Sequence, residues 1–265
     1  MPVDEHTFTS DRGPVHYRSA PAAGVPPLYL HGIPTSSKDW LPFLERGGGI
    51  APDLIGFGRS SKAGHLDYSL DGLATFVEEL LDELGVERVN LVAHQWGAAA
   101  GVWFAARRPE RVTRITVFDP LPLIDGFRWP RIARWWRGRL AGELLMGATT
   151  RRILARALRR GSLTPGAWSD QRLRCVWDQF DQGTQRAILR LHRVTAPSAL
   201  EGVLGELRVP VLVVWGERDP WLGPELAGPY AAHIANATVE RVDAGHWPWL
   251  DRPELVERVA ALTAE

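Results

Sequence analysis

One stretch decides the fold of this chain: Asn90-Leu91-Val92-Ala93-His94-Gln95-Trp96-Gly97-Ala98-Ala99. Its first half is an apolar run typical of a buried strand, and its second half consists of small residues that suit the start of a helix. A sharp turn between the halves would lift residue 95 clear of a sheet and present its side chain. That residue is glutamine, whose carboxamide is neutral across the physiological pH range and is a very poor nucleophile. The stretch therefore predicts a presented side chain that cannot attack carbon.

Apolar runs on either side of this stretch indicate the rest of the sheet. Residues 28–30 and 211–215 are nearly continuous apolar runs bounded by turn residues, which is typical of parallel strands covered on both faces. Between the strands, apolar residues from 72 to 84 follow a 3.6-residue period, with Asp71 as the predicted N-cap. A hairpin is predicted over residues 6–18 and a closing helix over residues 253–261. This alternation predicts an α/β fold with a doubly wound, mostly parallel sheet.

The segment 125–204 interrupts the alternation, because its pattern is helical and it contains no strand-like run. We expect it to form a helical cap inserted into a core domain made of residues 1–124 and 205–265. Residues 121–205 contain 15 arginines, no lysine and six acidic residues, a net charge of +9 in a chain that is neutral overall. We expect most of these arginines and of the cap tryptophans to lie on solvated faces or to pack between the cap and the core. The alternative is that a few of them line a substrate pocket, for which Trp135 and Trp136 are the candidates.

Composition excludes several classes of partner. The chain has 31 basic and 31 acidic residues, so no overall field favours nucleic acid. No apolar run approaches the ~20 residues that span a bilayer, and the N-terminus has no secretory signal pattern. The lone Cys175 rules out an intramolecular disulfide and fits a reducing compartment. We therefore expect a cytoplasmic protein that binds a small-molecule substrate, with no nucleic-acid or membrane partner; the sequence does not indicate an oligomeric state.

Four motifs follow one another along the chain: His31-Gly32-Ile33-Pro34, Asp53-Leu54-Ile55-Gly56-Phe57-Gly58-Arg59-Ser60, His94-Gln95-Trp96-Gly97, and the pair Gly216-Glu217-Arg218-Asp219-Pro220 with Asp243-Ala244-Gly245-His246-Trp247. In this order they resemble the HGxP loop, the D-x-x-G-x-G-x-S loop, the nucleophile elbow, and the acid and histidine loops of α/β-hydrolases. The resemblance is to the epoxide hydrolase and haloalkane dehalogenase branch, and it covers nearly the whole chain. It implies an α/β-hydrolase fold in which glutamine replaces the elbow aspartate.

The resemblance implies a general base made of His246 and Asp219. Both residues follow strand-like runs, so they are expected at the carboxyl edge of the sheet, where the catalytic groups of open α/β sheets gather. A carboxylate beside an imidazole fixes its tautomer and stabilises the imidazolium. Asp119, which follows the strand 113–118, is a second acid expected near the pocket, and either aspartate could partner the histidine.

The resemblance also implies an oxyanion hole made of the main-chain N–H groups of Trp96 and Ile33. Neither donor is a side chain, so we expect the hole to survive the presence of glutamine at position 95. The predicted catalytic set is therefore His246, Asp219 and Gln95, with no metal and no cofactor.

The departures from the family pattern leave four hypotheses open. Displacement of halide or opening of an epoxide in this branch needs the elbow carboxylate, and the cap segment 125–204 lacks the tyrosines that epoxide hydrolases use as acids. The first hypothesis is a lyase, cyclase or cofactor-free oxygenase of secondary metabolism, acting on a mid-sized aromatic or polycyclic molecule. The alternatives are a hydrolase that activates water noncovalently, a ligand-binding pseudoenzyme, and an epoxide hydrolase-like enzyme whose nucleophile was replaced by engineering.

Overall fold

The computed structural model describes residues 1–264, in which eight strands form one sheet. The strands are β1 (Asp4–Ser10), β2 (Gly13–Ala20), β3 (Pro27–Leu30), β4 (Gly49–Pro52), β5 (Val89–His94), β6 (Val112–Phe118), β7 (Val211–Gly216) and β8 (Ala237–Val242). Their order across the sheet is β1-β2-β4-β3-β5-β6-β7-β8. β2 pairs antiparallel with β1 and β4, and every other pairing is parallel. The predicted α/β class with a mostly parallel sheet is confirmed.

The helices that complete the core are α1 (Leu41–Gly47), α2 (Leu70–Glu83), α3 (Gln95–Arg107), α10 (Ala227–Ala232), α11 (Pro248–Asp251) and α12 (Glu254–Ala264). α2 buries the stripe expected from its period, including Leu73, Phe76 and Leu80. Its N-cap is Ser69, whose hydroxyl accepts from the N–H of Gly72, and not the predicted Asp71. The helix begins earlier because Ser69 has the extended backbone that a capping residue needs.

Six helices and no strand lie between β6 and β7: α4 (Arg131–Arg137), α5 (Ala141–Gly147), α6 (Arg151–Arg160), α7 (Asp170–Gln179), α8 (Gln182–Val194) and α9 (Glu201–Leu204). They form the helical cap. The exact division into a cap of 125–204 and a core of 1–124 plus 205–265 stays a prediction, and its last residue, Glu265, lies outside the described residues. None of the helices formed by residues 1–264 combines the length and apolar character that a membrane span requires.

Strand β4 was not predicted, because its four residues contain a glycine and a proline and give no apolar run. It lies between β2 and β3 and joins the antiparallel hairpin to the parallel strands. The central strand β5 is buried along its whole length, as its apolar sequence requires.

The segments that leave the parallel strands at their carboxyl ends carry the catalytic candidates of the core domain that the sequence singled out. In chain order these are Ile33 after β3, Gln95 after β5, Asp119 after β6, Asp219 after β7 and His246 after β8. Parallel strands bring their carboxyl ends to one edge of a sheet, and this edge is where ligands of open α/β sheets bind. The fold therefore gathers five residues that are far apart in sequence.

Candidate active site

Gln95 lies at the tip of the turn between β5 and α3, with a φ of 48°. This left-handed backbone is uncommon for a residue with a side chain, and it turns the strand sharply into the helix. The helix can start here because Gly97 lacks a side chain: a Cβ on Gly97 would lie 2.3 Å from the carbonyl oxygen of Leu30. The turn and the small residue that follows it agree with the strand, turn and helix read from the sequence.

The side chain of Gln95 folds back towards the loop after β3. Its Oε1 accepts a 2.8 Å hydrogen bond from the main-chain N–H of Ile33. Because a main-chain N–H can only donate, the amide atom facing it must be the oxygen, which fixes the orientation of the carboxamide. No group among residues 1–264 hydrogen-bonds to the amide nitrogen Nε2, so this end of the side chain keeps two N–H donors for a ligand.

This contact corrects one expectation about the oxyanion hole. The sequence suggested that the N–H of Ile33 is independent of residue 95, whereas it is occupied by the oxygen of Gln95. The other expected donor, Trp96, is the second residue of α3, and the N–H groups of a first helical turn have no partner inside the helix. One of the two expected donors of the oxyanion hole, the N–H of Ile33, is therefore already occupied by the amide oxygen of Gln95.

His246 and Asp219 form a close pair. His246 Nδ1 lies 2.5 Å from Asp219 Oδ2, and both side chains are buried. The other carboxylate oxygen, Oδ1, accepts from the main-chain N–H groups of Trp221 and Leu222 at 2.8 and 3.0 Å. A carboxylate that accepts these bonds is held as an acceptor, so Nδ1 of the imidazole carries the proton. Nε2 of His246 has no hydrogen-bond partner among residues 1–264 and is the atom that can take a proton from a ligand.

Asp119 lies behind this pair and does not line the cavity, which corrects its assignment to the substrate pocket. Its side chain is fully buried, and its Oδ1 accepts a 3.0 Å hydrogen bond from the N–H of Gly216. Burial, together with the negative charge of Asp219, raises the pKa of Asp119 well above its ordinary value. Of the two carboxyls, Asp119 is therefore the one whose neutral form is favoured, and Asp219 is the one that hydrogen-bonds to the histidine.

Asp119, Asp219 and His246 each offer a ligand atom within 4.8 Å of the others, so they were tested as a metal site. A metal would need the Nδ1 lone pair of His246, but that nitrogen already donates to Asp219 at 2.5 Å. It would also need an ionised Asp119, which burial disfavours. A hydrogen-bonded pair of Asp219 and His246, with the buried carboxyl of Asp119 beside it, accounts better for the arrangement.

A cavity of about 220 Å³ lies between this edge of the sheet and the cap. His246, Gln95 and Ile33 line its floor, and five tryptophans dominate its walls: Trp96, Trp129, Trp136, Trp221 and Trp247. No arginine lines it, so the alternative that cap arginines line the substrate pocket is not supported. Most side chains that line the cavity are apolar, and the exceptions include Gln95, His192 and His246.

Of the two cap tryptophans expected in the pocket, only Trp136 lines it. The side chain of Trp135 is 57% exposed and does not contribute to the cavity, so its assignment to the pocket was wrong. Successive residues on a helix point about 100° apart. The stripe of α4 that lines the cavity is formed by Ile132, Ala133 and Trp136, and Trp135 lies outside this stripe.

The sequence reasoning missed His192, a cavity-lining residue of α8. Its ring contacts the indoles of Trp96, Trp129 and Trp136, with ring centres 5.0 to 5.2 Å apart. Nδ1 lies 2.8 Å from the carbonyl oxygen of Ile188 and must donate to it, so Nε2 is an acceptor. Burial lowers the pKa of His192 to about 4, so the ring is neutral at physiological pH. The available signal was its place on the apolar face of α8, four residues after Ile188.

Comparison with known proteins agrees with this architecture. A profile of the alpha/beta hydrolase fold family matches residues 28–253. A haloalkane dehalogenase of Mycobacterium marinum is 32% identical over 92% of this chain and 87% of its own length. Epoxide hydrolase 1 of Caenorhabditis elegans is 25% identical over 86% of this chain and 62% of its own length. The crystal structure of haloalkane dehalogenase DbeA from Bradyrhizobium elkani superposes with a TM-score of 0.83 at 26% identity, covering 99% of this chain and 98% of that one.

Proposed function

This chain belongs to the α/β-hydrolase fold family, in the branch of the haloalkane dehalogenases and epoxide hydrolases, and from that premise we propose that it is an enzyme that works without a covalent nucleophile. In this proposal His246 is a general base held by Asp219, and Gln95 is a neutral hydrogen-bond donor. The reaction is a proton abstraction of the lyase, cyclase or cofactor-free oxygenase type.

The hydrogen bond from Ile33 to Gln95 is the observation that carries the proposal. It places the amide oxygen on the protein side and leaves the amide nitrogen available to a ligand. A turn that had no remaining function would not need to hold the side chain of Gln95 in one orientation. A fixed amide suits a preorganised donor, because it requires no rearrangement when negative charge develops on a substrate.

The chemical step follows from these positions. Nε2 of His246 takes a proton from a C–H group next to a carbonyl or from an O–H group of the substrate. In the first case the C–H electron pair forms a C=C bond and the carbonyl π pair moves onto the oxygen; in the second the O–H pair stays on its oxygen. The resulting enolate or alkoxide accepts hydrogen bonds from Nε2 of Gln95 and from the N–H of Trp96. Asp219 stabilises the imidazolium that forms, as its hydrogen bond to Nδ1 allows.

The cavity narrows the class of substrate. An apolar cavity of about 150 Å³ admits benzene, so a cavity of about 220 Å³ suits a substituted molecule of one or two rings better than a larger polycyclic one. Nε2 of His192 is an acceptor on the cap side, which favours a substrate that also carries a hydroxyl or N–H donor. We therefore propose an apolar aromatic substrate with an acidic hydrogen next to an oxygen and a second polar donor.

A probe reaction tests the proposed base without knowledge of the natural substrate. In 5-nitrobenzisoxazole, removal of the C3 proton forms a nitrile as the N–O bond breaks, and the negative charge appears on a phenolate oxygen. The wild-type protein should eliminate this compound faster than free imidazole at the same concentration and pH. His246→Ala should reduce the rate to the imidazole background. A wild-type rate that persists in His246→Ala would rule out the general base.

The kinship with hydrolases favours a second candidate, in which His246 activates a water molecule against an epoxide or an activated carbonyl. Labelled water separates the two candidates once a substrate is found. A hydrolase places solvent oxygen in its product, whereas a lyase or cyclase need not. Saturable binding of aromatic ligands without any chemistry, in the probe reaction or on the bound ligand, would instead favour a ligand-binding protein.

A further inference from the structure

Large apolar side chains are exposed in one part of the cap. Ten are exposed among residues 1–264, and six of them lie between residues 132 and 153: Ile132, Trp135, Leu140, Leu144, Leu145 and Ile153. We call the surface formed by these six side chains the cap patch. Leu140 and Leu144 are 78% and 74% exposed, and Leu140 also has a left-handed φ of 61°. Folding alone gives no reason for a bulky apolar residue at such a position.

The same part of the cap carries an unusual number of unpaired cations. Residues 125–160 contain ten arginines and two acidic residues, a net charge of +8. Eight of these arginines are exposed and have no acidic partner among residues 1–264: Arg128, Arg131, Arg134, Arg139, Arg151, Arg152, Arg156 and Arg160. Elsewhere, exposed arginines are typically paired, as Arg218 is with Asp243 at 2.8 Å. The guanidinium groups of these eight arginines are therefore free to meet an external anion.

The cap patch adjoins the mouth of the cavity. Ile132 of α4 and Ile153 of α6 are both exposed to solvent and both line the cavity. A ligand that reached the cap patch would therefore meet the opening of an apolar chamber that contains His246.

Although the composition of the chain led us to expect no membrane partner, we propose that α4, α5 and α6 bind the surface of an anionic lipid bilayer, with the cavity mouth facing the lipid. The leucines and Trp135 enter the boundary between headgroups and acyl chains, and the arginines bind lipid phosphates around them. A second copy of the chain is a poorer occupant, because pairing the two cap patches would bring together two segments, residues 125–160 of each copy, that each carry a net charge of +8. An apolar chamber that opens on a bilayer would take a lipophilic molecule directly from the membrane. This proposal does not depend on the reaction proposed above.

Vesicle flotation tests the proposal with the full chain. We expect the protein to float with vesicles of phosphatidylcholine mixed with phosphatidylglycerol, to bind vesicles of phosphatidylcholine alone much more weakly, and to be released by high salt. The double variant Trp135→Ser/Leu144→Ser should lose binding to the anionic vesicles. Each Arg→Gln replacement at positions 151, 152 and 156 should lower the partition coefficient by about fivefold. Val239→Thr and Arg218→Gln, which alter exposed residues outside the cap, should bind as the wild type does.

Two results would overturn the proposal. One is that the wild type does not bind the anionic vesicles at low salt, or that the double variant binds them as well as the wild type does. The other is that the wild type does not bind vesicles and sediments as a dimer, whereas the double variant sediments as a monomer. The cap patch would then be an interface between two copies of the chain. Thermal unfolding and circular dichroism of the variants show whether they are folded, since all the substituted side chains are exposed.

Discussion

The main-chain N–H of Ile33 donates a 2.8 Å hydrogen bond to Oε1 of Gln95, and this bond joins the loop after β3 to the turn after β5. The glutamine therefore fills one half of the expected oxyanion hole with its own oxygen and offers its nitrogen to whatever occupies the cavity. Aspartate at this position would bring a negative charge, whereas glutamine brings a neutral donor. Glutamine in place of aspartate therefore changes the electrostatic character of the site, while the other groups of the site stay in place.

The first prediction concerns the donor role of Gln95. Gln95→Met keeps an unbranched side chain of similar length but removes both the acceptor and the donor. We expect the rate of the 5-nitrobenzisoxazole elimination to fall about tenfold to a hundredfold, because one donor to the developing phenolate is lost. The free energy of unfolding should fall by about 1–3 kcal/mol, since the N–H of Ile33 loses its partner. Steady-state kinetics and urea unfolding measure the two effects, and an unchanged kcat would mean that Gln95 takes no part in the reaction.

The second prediction concerns a missing nucleophile. Gln95→Asp supplies the carboxylate that the related enzymes need, and His246→Phe prevents activation of the water that would release an ester. With 1-bromohexane we expect the double variant Gln95→Asp/His246→Phe to gain a hexyl group in place of a proton, with release of bromide. With styrene oxide it should gain the mass of the whole molecule, because the opened epoxide oxygen stays in the adduct. His246→Phe alone should show no such adduct in intact-protein mass spectrometry. If the double variant also stays unmodified, the turn no longer presents residue 95 in a geometry that permits attack.

The third prediction separates the two buried acids. Asp219 hydrogen-bonds to His246, whereas Asp119 lies behind it and has a pKa raised well above its ordinary value. Asp219→Asn should lower the rate of the elimination by about a hundredfold, because an amide neither stabilises the imidazolium nor fixes the tautomer. Asp119→Asn should stay within about threefold of the wild type, because asparagine is also a neutral donor. The opposite ranking of the two kcat values would make Asp119 the acid that acts with the histidine.

The fourth prediction follows from the raised pKa of Asp119. A carboxyl whose pKa is higher in the folded than in the unfolded protein binds more protons when folded, so the protein loses stability as the pH rises above about 4. Asp119→Asn has no proton to lose. Its free energy of unfolding, relative to that of the wild type, should therefore increase from pH 4 upwards until the folded carboxyl would ionise. Urea unfolding at several pH values measures this difference, and a difference that stays constant would show that Asp119 is ionised in the folded protein.

The sequence predicted the fold well because the positions of most strands and loops follow from short local patterns of apolar and turn residues. Continuous apolar runs such as β5 and β7 mark buried parallel strands, and such strands bring the loops that carry Asp219 and His246 to one edge. A short strand with glycine and proline, β4, left no such pattern. Local patterns therefore placed the site, and they failed where a strand is defined mainly by its neighbours.

The details of the site depend on side-chain directions that a sequence does not give. Trp135 and Trp136 are adjacent, and only the phase of α4 decides which one faces the cavity. The bond between Ile33 and Gln95 depends on the left-handed turn at residue 95 and on the absence of a side chain at Gly32. A Cβ on Gly32 would lie 2.9 Å from Oε1 of Gln95. Contacts between loops 62 residues apart emerge only from the assembled sheet.

The fifth prediction concerns His192 and the acid limit of stability. The pKa of His192 is about 4 in the folded protein, below the ordinary value of 6.5, because the ring is buried among three indoles. A histidine with a lowered pKa binds fewer protons when folded, so its contribution is complete above pH 6.5 and is lost as the pH falls towards 4. Over this window the loss is roughly 3 kcal/mol, at 1.36 kcal/mol per pH unit. In His192→Phe the free energy of unfolding should fall less steeply between pH 6.5 and 4.5 than in the wild type, as measured by urea unfolding. His65→Phe, at the surface, serves as the control, and parallel curves for the wild type and His192→Phe would show that this ring already accepts a proton in the folded state.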